Sequence, residues 1–280
     1  MSKEKAVNAS LKAISYFVNN GIKCVVEPEI YALLSADLKA LVRELPLEQF
    51  QNVVDCVLSF GGDGTLLTVA RALIFAEIPI MGFNVGKLGF LAEFDIDLIV
   101  EALKDLTSGN YRIVDRTVLE TNLDGERFFA LNDFVIEKLN TSKMIVVRTF
   151  SDEHFVADYR ADGLIITTPT GSTAYSLSCS GPIIAPSARV LCLTPISPHT
   201  LTIRPLVIPD SNEISLQLLE SGNGAILVAD GFTVANIDSD NKITLKISDL
   251  KVKLIKPKPS SFYNVLRNKF LWAATTIENN

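Results

Sequence analysis

The run Ser59-Phe60-Gly61-Gly62-Asp63-Gly64-Thr65 constrains the fold of this chain more than any other. The residues before it, Val53–Phe60, are almost continuously apolar, as a parallel strand covered on both faces should be. The residues after it carry helical spacing from about Thr65 to Ala76. A strand, a glycine turn and a helix therefore follow one another without a linker. Three glycines in four positions let the backbone turn tightly and leave no Cβ between it and a ligand. The unpaired amides and the dipole at a helix N-terminus favour an anion. A carboxylate there would repel phosphates, so Asp63 makes chemical sense if it holds a metal ion or takes a proton from an attacking hydroxyl. The plainer reading is a glycine turn with Asp63 as N-cap. No Gly-Lys-Ser/Thr follows, which excludes a Walker A loop, and the spacing is not G-x-G-x-x-G.

The surrounding segments fit the same architecture. Leu11, Ile14, Phe17 and Val18 recur at helical spacing and Gly21 ends that helix. Ile22–Val26 and Ile78–Phe83 read as strands, and Ile96–Leu106 as a helix. This alternation predicts an open, mostly parallel α/β sheet. From Tyr111 the texture changes to short strands and turns. Thr117–Thr121 and Arg127–Phe134 flank an Asn122–Glu126 turn, and Met144–Phe150 and Phe155–Tyr159 flank Ser151–Glu153. Leu164–Thr168, Ile214–Leu219, Ala225–Val228, Ile243–Ile247 and Val252–Ile255 continue the β pattern. The expected division is an α/β phosphate-binding domain over 1–108 and an all-β domain over 109–261. A helix within 262–280, reading as Phe262–Trp272, packs back on the first domain.

Composition removes other classes. Of 280 residues, 48% are hydrophobic, enough for a buried core and too many for a disordered chain. No apolar run reaches the roughly 18 residues of a membrane span. The charged opening Met1–Lys5 has no apolar signal core behind it, so a soluble cytoplasmic protein is expected. A net charge of -6 argues against nucleic acid as partner. Cys24, Cys56, Cys179 and Cys192 are scattered, which predicts buried free thiols. His154 and His199 are too far apart for a zinc pair.

Two further runs carry chemistry. Gly82-Phe83-Asn84-Val85-Gly86-Lys87-Leu88-Gly89-Phe90-Leu91 leaves a strand end, where α/β sheets bind ligands. Asp162-Gly163 and the strand after it lead into Thr167-Thr168-Pro169-Thr170-Gly171-Ser172-Thr173-Ala174-Tyr175-Ser176-Leu177-Ser178. A loop so rich in hydroxyls, with one tyrosine, can stack a base and bond a ribose or an amide. The plainer readings are a packed loop and a Ser/Thr-rich turn.

Together these runs resemble the NAD kinase family, from about Lys5 to Trp272. Gly-Gly-Asp-Gly alone is shared with diacylglycerol, sphingosine and phosphofructokinases. The run ending Thr173–Ser178 and the Leu88-Gly89-Phe90-Leu91 segment after Asn84 are far more specific, and His199-Thr200-Leu201 with Arg204-Pro205 also resembles a family stretch. The resemblance implies phosphoryl transfer from ATP to the 2′-hydroxyl of the adenosine ribose of NAD, with Mg²⁺ carried mainly by the nucleotide phosphates. It implies Asp63 as the general base, with Gly61, Gly62, Gly64 and Thr65 around the phosphates. Asn132 and Asp133 stand for a pair at the NAD ribose or a metal-linked network, and Asp162 for a contact to the nicotinamide amide. Thr173, Ala174, Tyr175, Ser176, Leu177 and Ser178 would line the dinucleotide pockets, and Lys143 and Arg160 are polar residues placed for ligand contact. A homodimer or homotetramer is implied as well.

The chain departs from the family pattern in three places. The family opens with a β-strand, whereas this sequence opens almost inside its first helix. Asp230-Gly231-Phe232 stands where the family has Asp-Gly-Gln, and Ser178-Cys179-Ser180-Gly181-Pro182 replaces a more glycine-rich stretch. Two other functions share parts of the pattern. A diacylglycerol-type lipid kinase would need a route for an acyl chain, which the polar Thr167–Ser178 loop does not suggest. A silent NAD(P)-binding regulator would keep the pocket without turnover.

Overall fold

The computed structural model of the chain describes residues 2–86, 88–139, 143–220 and 224–271. The chain divides into two units, 1–115 with 252–280, and 116–251. The boundaries fall inside two long strands, Tyr111–Leu123 and Lys242–Pro257.

The first unit opens with α1 (Ser2–Asn19), β1 (Cys24–Val26), the short helices α2 (Pro28–Tyr31) and α3 (Ala36–Lys39), and β2 (Val42–Glu44). Gly21 ends the first helix region at φ +71°, a conformation glycine adopts without strain. β1 and β2 form a parallel pair of their own. The central elements are β3 (Val57–Gly61), α4 (Asp63–Ala72), β4 (Ile80–Asn84), β5 (Phe94–Asp95) and α5 (Ile99–Ser108). β4 pairs in parallel with β3, with β5 and, through Ile80 and Met81, with Leu254 and Ile255. All five residues of β4 are buried, the burial expected of a parallel strand with both faces covered. Met81, Phe83 and Leu103 are fully enclosed, with Ala9 and Ala13 of α1 in the same cluster. The last element among the described residues, α7 (Phe262–Phe270), rests its Phe262 and Phe270 rings near Phe90. Trp272 lies outside the described residues.

The second unit is built from β6 (Tyr111–Leu123), β7 (Glu126–Ala130), β8 (Asp133–Lys138), β9 (Ile145–Ser151), β10 (His154–Ala161), β11 (Gly163–Thr167), α6 (Tyr175–Ser178), β12 (Val190–Ile196), β13 (Leu206–Pro209), β14 (Ile214–Glu220), β15 (Ala225–Ala229), β16 (Phe232–Ile237) and β17 (Lys242–Pro257). One six-stranded sheet runs β13-β12-β11-β8-β15-β16, antiparallel throughout. β10, β9, β14 and the start of β17 form an antiparallel series. A single apolar cluster, including Leu119, Phe134, Leu164, Leu191, Leu216 and Leu245, takes residues from both layers.

Several boundaries differ from the sequence expectations. Val53–Asp55 lies in a turn and β3 begins at Val57, because Asn52 takes φ 60° and ends the preceding segment. α4 begins at Asp63 rather than Thr65, and its N-cap is Gly62, so Asp63 is not the cap. Arg127–Phe134 is two strands, interrupted at Leu131-Asn132. Ile243–Ile247 and Val252–Ile255 are one 16-residue strand. The polar stretch between them stays in the strand because buried Ser248 donates its Oγ hydrogen to Glu120. β12, fully apolar over Leu191–Leu193, was not foreseen. Of the four cysteines, Cys192 is buried and the other three are half-buried, all as free thiols. No helix among the described residues is long and apolar enough to cross a membrane.

Candidate active site

Asp63 stands at the first position of α4, directly behind the turn. Gly61 has to be glycine: a Cβ there would lie 2.1 Å from Thr65 Oγ1. Gly62 and Gly64 have no atom within 4 Å of an added Cβ, so they leave an open face over the first-turn amides. Thr65 is exposed on the same turn.

The Asp63 side chain turns away from its own helix to the segment after β4. Oδ2 accepts the Phe90 amide at 2.8 Å, and Oδ1 accepts the Leu91 and Ala92 amides, each at 3.0 Å. Gly89 makes room for it, since a Cβ there would lie 2.0 Å from Oδ1. Lys269 of α7 brings its Nζ to 3.8 Å from Oδ2. The carboxylate is thus fixed by backbone while 28% of the side chain remains exposed. Oδ1 accepts two amides and Oδ2 one, so Oδ2 has the free lone pair. The end of the Gly82–Leu91 run, with Ala92 after it, therefore holds Asp63 in place, a role that its sequence alone did not reveal. Lys269 also carried no sequence signal.

The second unit gathers most of the other expected residues. Asn132 and Asp133 lead into β8, and Asp230 fixes that turn: its Oδ2 accepts the Leu131 amide at 2.8 Å and its Oδ1 the Asn132 and Asp133 amides at 2.7 and 3.1 Å. Asp230 takes φ 47° and Gly231 φ 83° in the β15–β16 turn. The Asp133 carboxyl is pushed up to about 7, first by burial and then by the Asp230 charge beside it. Burial also raises the Tyr175 hydroxyl, with the charges of Cys179, Glu137, Asp133 and Asp162 adding to the effect. Asp162 Oδ1 lies 2.5 Å from Lys138 Nζ.

The hydroxyl-rich loop after β11 divides into scaffold and surface. Thr167 Oγ1 donates to Asn132 O at 3.0 Å and Thr168 Oγ1 to Leu131 O at 2.6 Å. Ser172 Oγ accepts from the Ile184 amide, and Ser176 Oγ lies 2.8 Å from Thr194 Oγ1. All four are fully buried, so their hydroxyls serve the protein itself. Thr173, Ala174 and Leu177 are half-buried, and Tyr175 and Ser178 are exposed. Lys143 and Arg160 are exposed at the approach to β9 and on β10, and their side chains take no part in this set of hydrogen bonds. Among the described residues, no group of three or more His, Cys, Asp or Glu side chains is placed to hold a metal ion. Phe232 is 43% exposed on β16.

Fold and site together define a nucleotide-dependent kinase class: an α/β unit with a glycine-turn carboxylate, followed by a β-rich unit. Residues 3–111 match the family model of the ATP-NAD kinase N-terminal domain and residues 131–257 that of the ATP-NAD kinase C-terminal domain. The NAD kinase of Chloroherpeton thalassium is 38% identical over 279 residues, covering 97% of this chain and 95% of its own. That of Bacteroides fragilis is 37% identical, covering 91% and 89%. Among solved structures, a yeast NADH kinase complexed with NADH superposes with a TM-score of 0.85 at 25% identity, covering 98% of this chain and 85% of its own. An Archaeoglobus fulgidus NAD kinase in complex with ATP gives 0.72 at 27%, covering 89% and 98%. The chain belongs to the ATP-NAD kinase family.

Proposed function

We propose that this protein transfers the γ-phosphoryl group of ATP to the 2′-hydroxyl of the adenosine ribose of NAD, giving NADP and ADP. The observation that carries the reading is Asp63: a partly exposed carboxylate at the start of a glycine-turned helix, held by three backbone amides with Oδ2 left open. In the reaction the bond from the γ-phosphorus to the bridging oxygen breaks and a bond to the ribose 2′-oxygen forms. Asp63 Oδ2 receives the hydroxyl proton. Because the transition state is loose, that capture comes late, and holding the carboxylate in place matters more than a strong base. The first-turn amides of α4, behind the open faces of Gly62 and Gly64, take the donor's phosphates. Mg²⁺ held by those phosphates would offset their charge. That route fits Asp63, whose oxygens already accept three amides.

Asn132, Asp133, Asp162, Thr173, Ala174, Tyr175 and Ser178 are the residues we assign to NAD. Asp230 fixes the turn that presents the first two. Lys143 and Arg160 are exposed cations available to the dinucleotide phosphates. The protein is expected to work in the cytoplasm as a homodimer or homotetramer.

The test is NADP formation from NAD with ATP and Mg²⁺, wild type against Asp63→Asn. Turnover should fall by about 10²–10⁴-fold in the variant while NAD binding is retained. A folded wild type that is inert on NAD and active on diacylglycerol in micelles would replace this reading with a lipid kinase. One that binds NAD without Asp63-dependent turnover would replace it with a binding protein.

A further inference from the structure

Lys256 is a charged residue in the apolar end of β17, after Leu254 and Ile255, and its side chain is 1% exposed. Its Nζ donates to Phe90 O at 3.1 Å and to Leu91 O at 2.7 Å. It also pairs with Glu93 Oε1 at 2.7 Å, and Ser260 Oγ bonds the other oxygen of Glu93. Neutralising a buried Glu93 would be reason enough for a lysine here. That reason does not explain why the ammonium reaches two backbone carbonyls as well.

Those carbonyls belong to particular peptide groups. The Phe90 carbonyl shares its plane with the Leu91 amide, and the Leu91 carbonyl with the Ala92 amide. Both amides donate to Asp63 Oδ1. In a trans peptide the C=O and N–H point in opposite directions. Each of the two peptides therefore has its negative end on the Lys256 ammonium and its positive end on the Asp63 carboxylate. Hydrogen bonds in such a chain polarise one another, and more so where water is excluded. The cation and the anion are joined through two aligned dipoles without touching.

We infer that Lys256 is a positioning residue for Asp63, holding the catalytic carboxylate in place through the Phe90–Leu91 and Leu91–Ala92 peptide groups. The inference rests on the assignment of Asp63 as the base. It adds a cation on the far side of the loop that no glycine-turn motif contains. Glu93 and Ser260 fix Lys256 in turn, so strand β17 and the segment leading into α7 set the geometry of a residue on α4.

The experiment compares Glu93→Gln with the double variant Lys256→Met/Glu93→Gln, which removes the cation without leaving a buried anion. The expected result is a fall in kcat of roughly 10- to 100-fold in the double variant relative to Glu93→Gln, with KM for NAD and ATP nearly unchanged. Lys256→Gln/Glu93→Gln, which keeps a donor for one carbonyl, should fall less, and it carries the test if the methionine variant does not fold. Lys253→Met, on the same strand and paired with Glu77 at 3.1 Å, is the control that leaves kcat unchanged. A second readout needs no turnover. In a double-mutant cycle of thermal unfolding, removing Lys256 should cost less in an Asp63→Asn background than in one with Asp63 intact. Unchanged kcat, a rise in KM alone, or an additive cycle would overturn the inference. If the wild type proves inert toward NAD, the cycle alone decides it, so the two failures are told apart.

Discussion

Lys269 Nζ lies 3.8 Å from Asp63 Oδ2, the oxygen with the open lone pair, and 4.6 Å from the centroid of the Phe90 ring. The last described helix, α7, thus delivers a cation to the residue that opens α4. The ring contact holds the ammonium over a residue whose amide binds the same carboxylate. A point charge so placed can pass from the carboxylate to an incoming phosphate.

Lys269→Met should therefore raise KM for ATP more than KM for NAD. Both partners are about one-third exposed, so the contact is worth on the order of 1 kcal/mol, or about a fivefold change. The effect should shrink as salt is raised, because the pair reaches solvent. An equal rise in both KM values, or no salt dependence, would count against a role at the donor phosphates.

Two glycines flanking Asp63 should respond in opposite ways. A Cβ on Gly89 would lie 2.0 Å from Asp63 Oδ1, so Gly89→Ala must displace the carboxylate. Its kcat should fall by about 10²-fold, the usual effect of misplacing a reacting group by an ångström. A Cβ on Gly62 meets nothing within 4 Å. Gly62→Ala should keep the Tm of the wild type and raise KM for ATP, because the methyl enters the open face that we propose for the donor's phosphates. Steady-state kinetics with a melting curve for each variant separates the two.

What could be read from the sequence was local. Gly21 at a helix end, Asp124-Gly125 between β6 and β7, and Asp152 between β9 and β10 all take positive φ, and each stands at a turn expected from residue type. The strand, glycine turn and helix around Asp63 were equally legible. The residues that hold the site were not. The amides that fix Asp63 lie 27 to 29 residues away, and Lys256 lies 165 residues from the carbonyl it holds most closely. No periodicity encodes such pairings. A lysine ending an apolar run was the one available signal, and a strand end accounts for it equally well. The hydroxyl-rich loop hides long-range pairings too: Thr167, Thr168, Ser172 and Ser176 all find protein partners that residue type does not announce.

Asp230 repeats in the second unit what Asp63 does in the first, since each carboxylate gathers three consecutive amides. In Asp230→Ala the Leu131, Asn132 and Asp133 amides lose their acceptor. Unfolding free energy should fall by about 3 kcal/mol, set by the cost of unsatisfied buried donors. NAD binding should weaken as well, because the turn carrying Asn132 loosens. A denaturant titration with unchanged slope would show that stability, and not compactness, has changed.

The same carboxylate makes Asp133 sensitive to pH. Its ordinary value is 3.8; in the fold, burial and the Asp230 charge raise it to about 7, with Tyr175 and Cys179 as its other titratable neighbours. A raised carboxyl means the folded state holds its proton over a range where the unfolded chain has released it. Stability from this group is therefore complete below about pH 4 and is lost as pH rises through about 7. Asp133→Asn carries no charge to bury. Its Tm should exceed that of the wild type at pH 8, and the gap should close as pH is lowered to 4. Melting curves at both pH values, for wild type and variant, measure it directly. A gap that persists unchanged at pH 4 would assign the difference to packing around the amide and not to the buried charge.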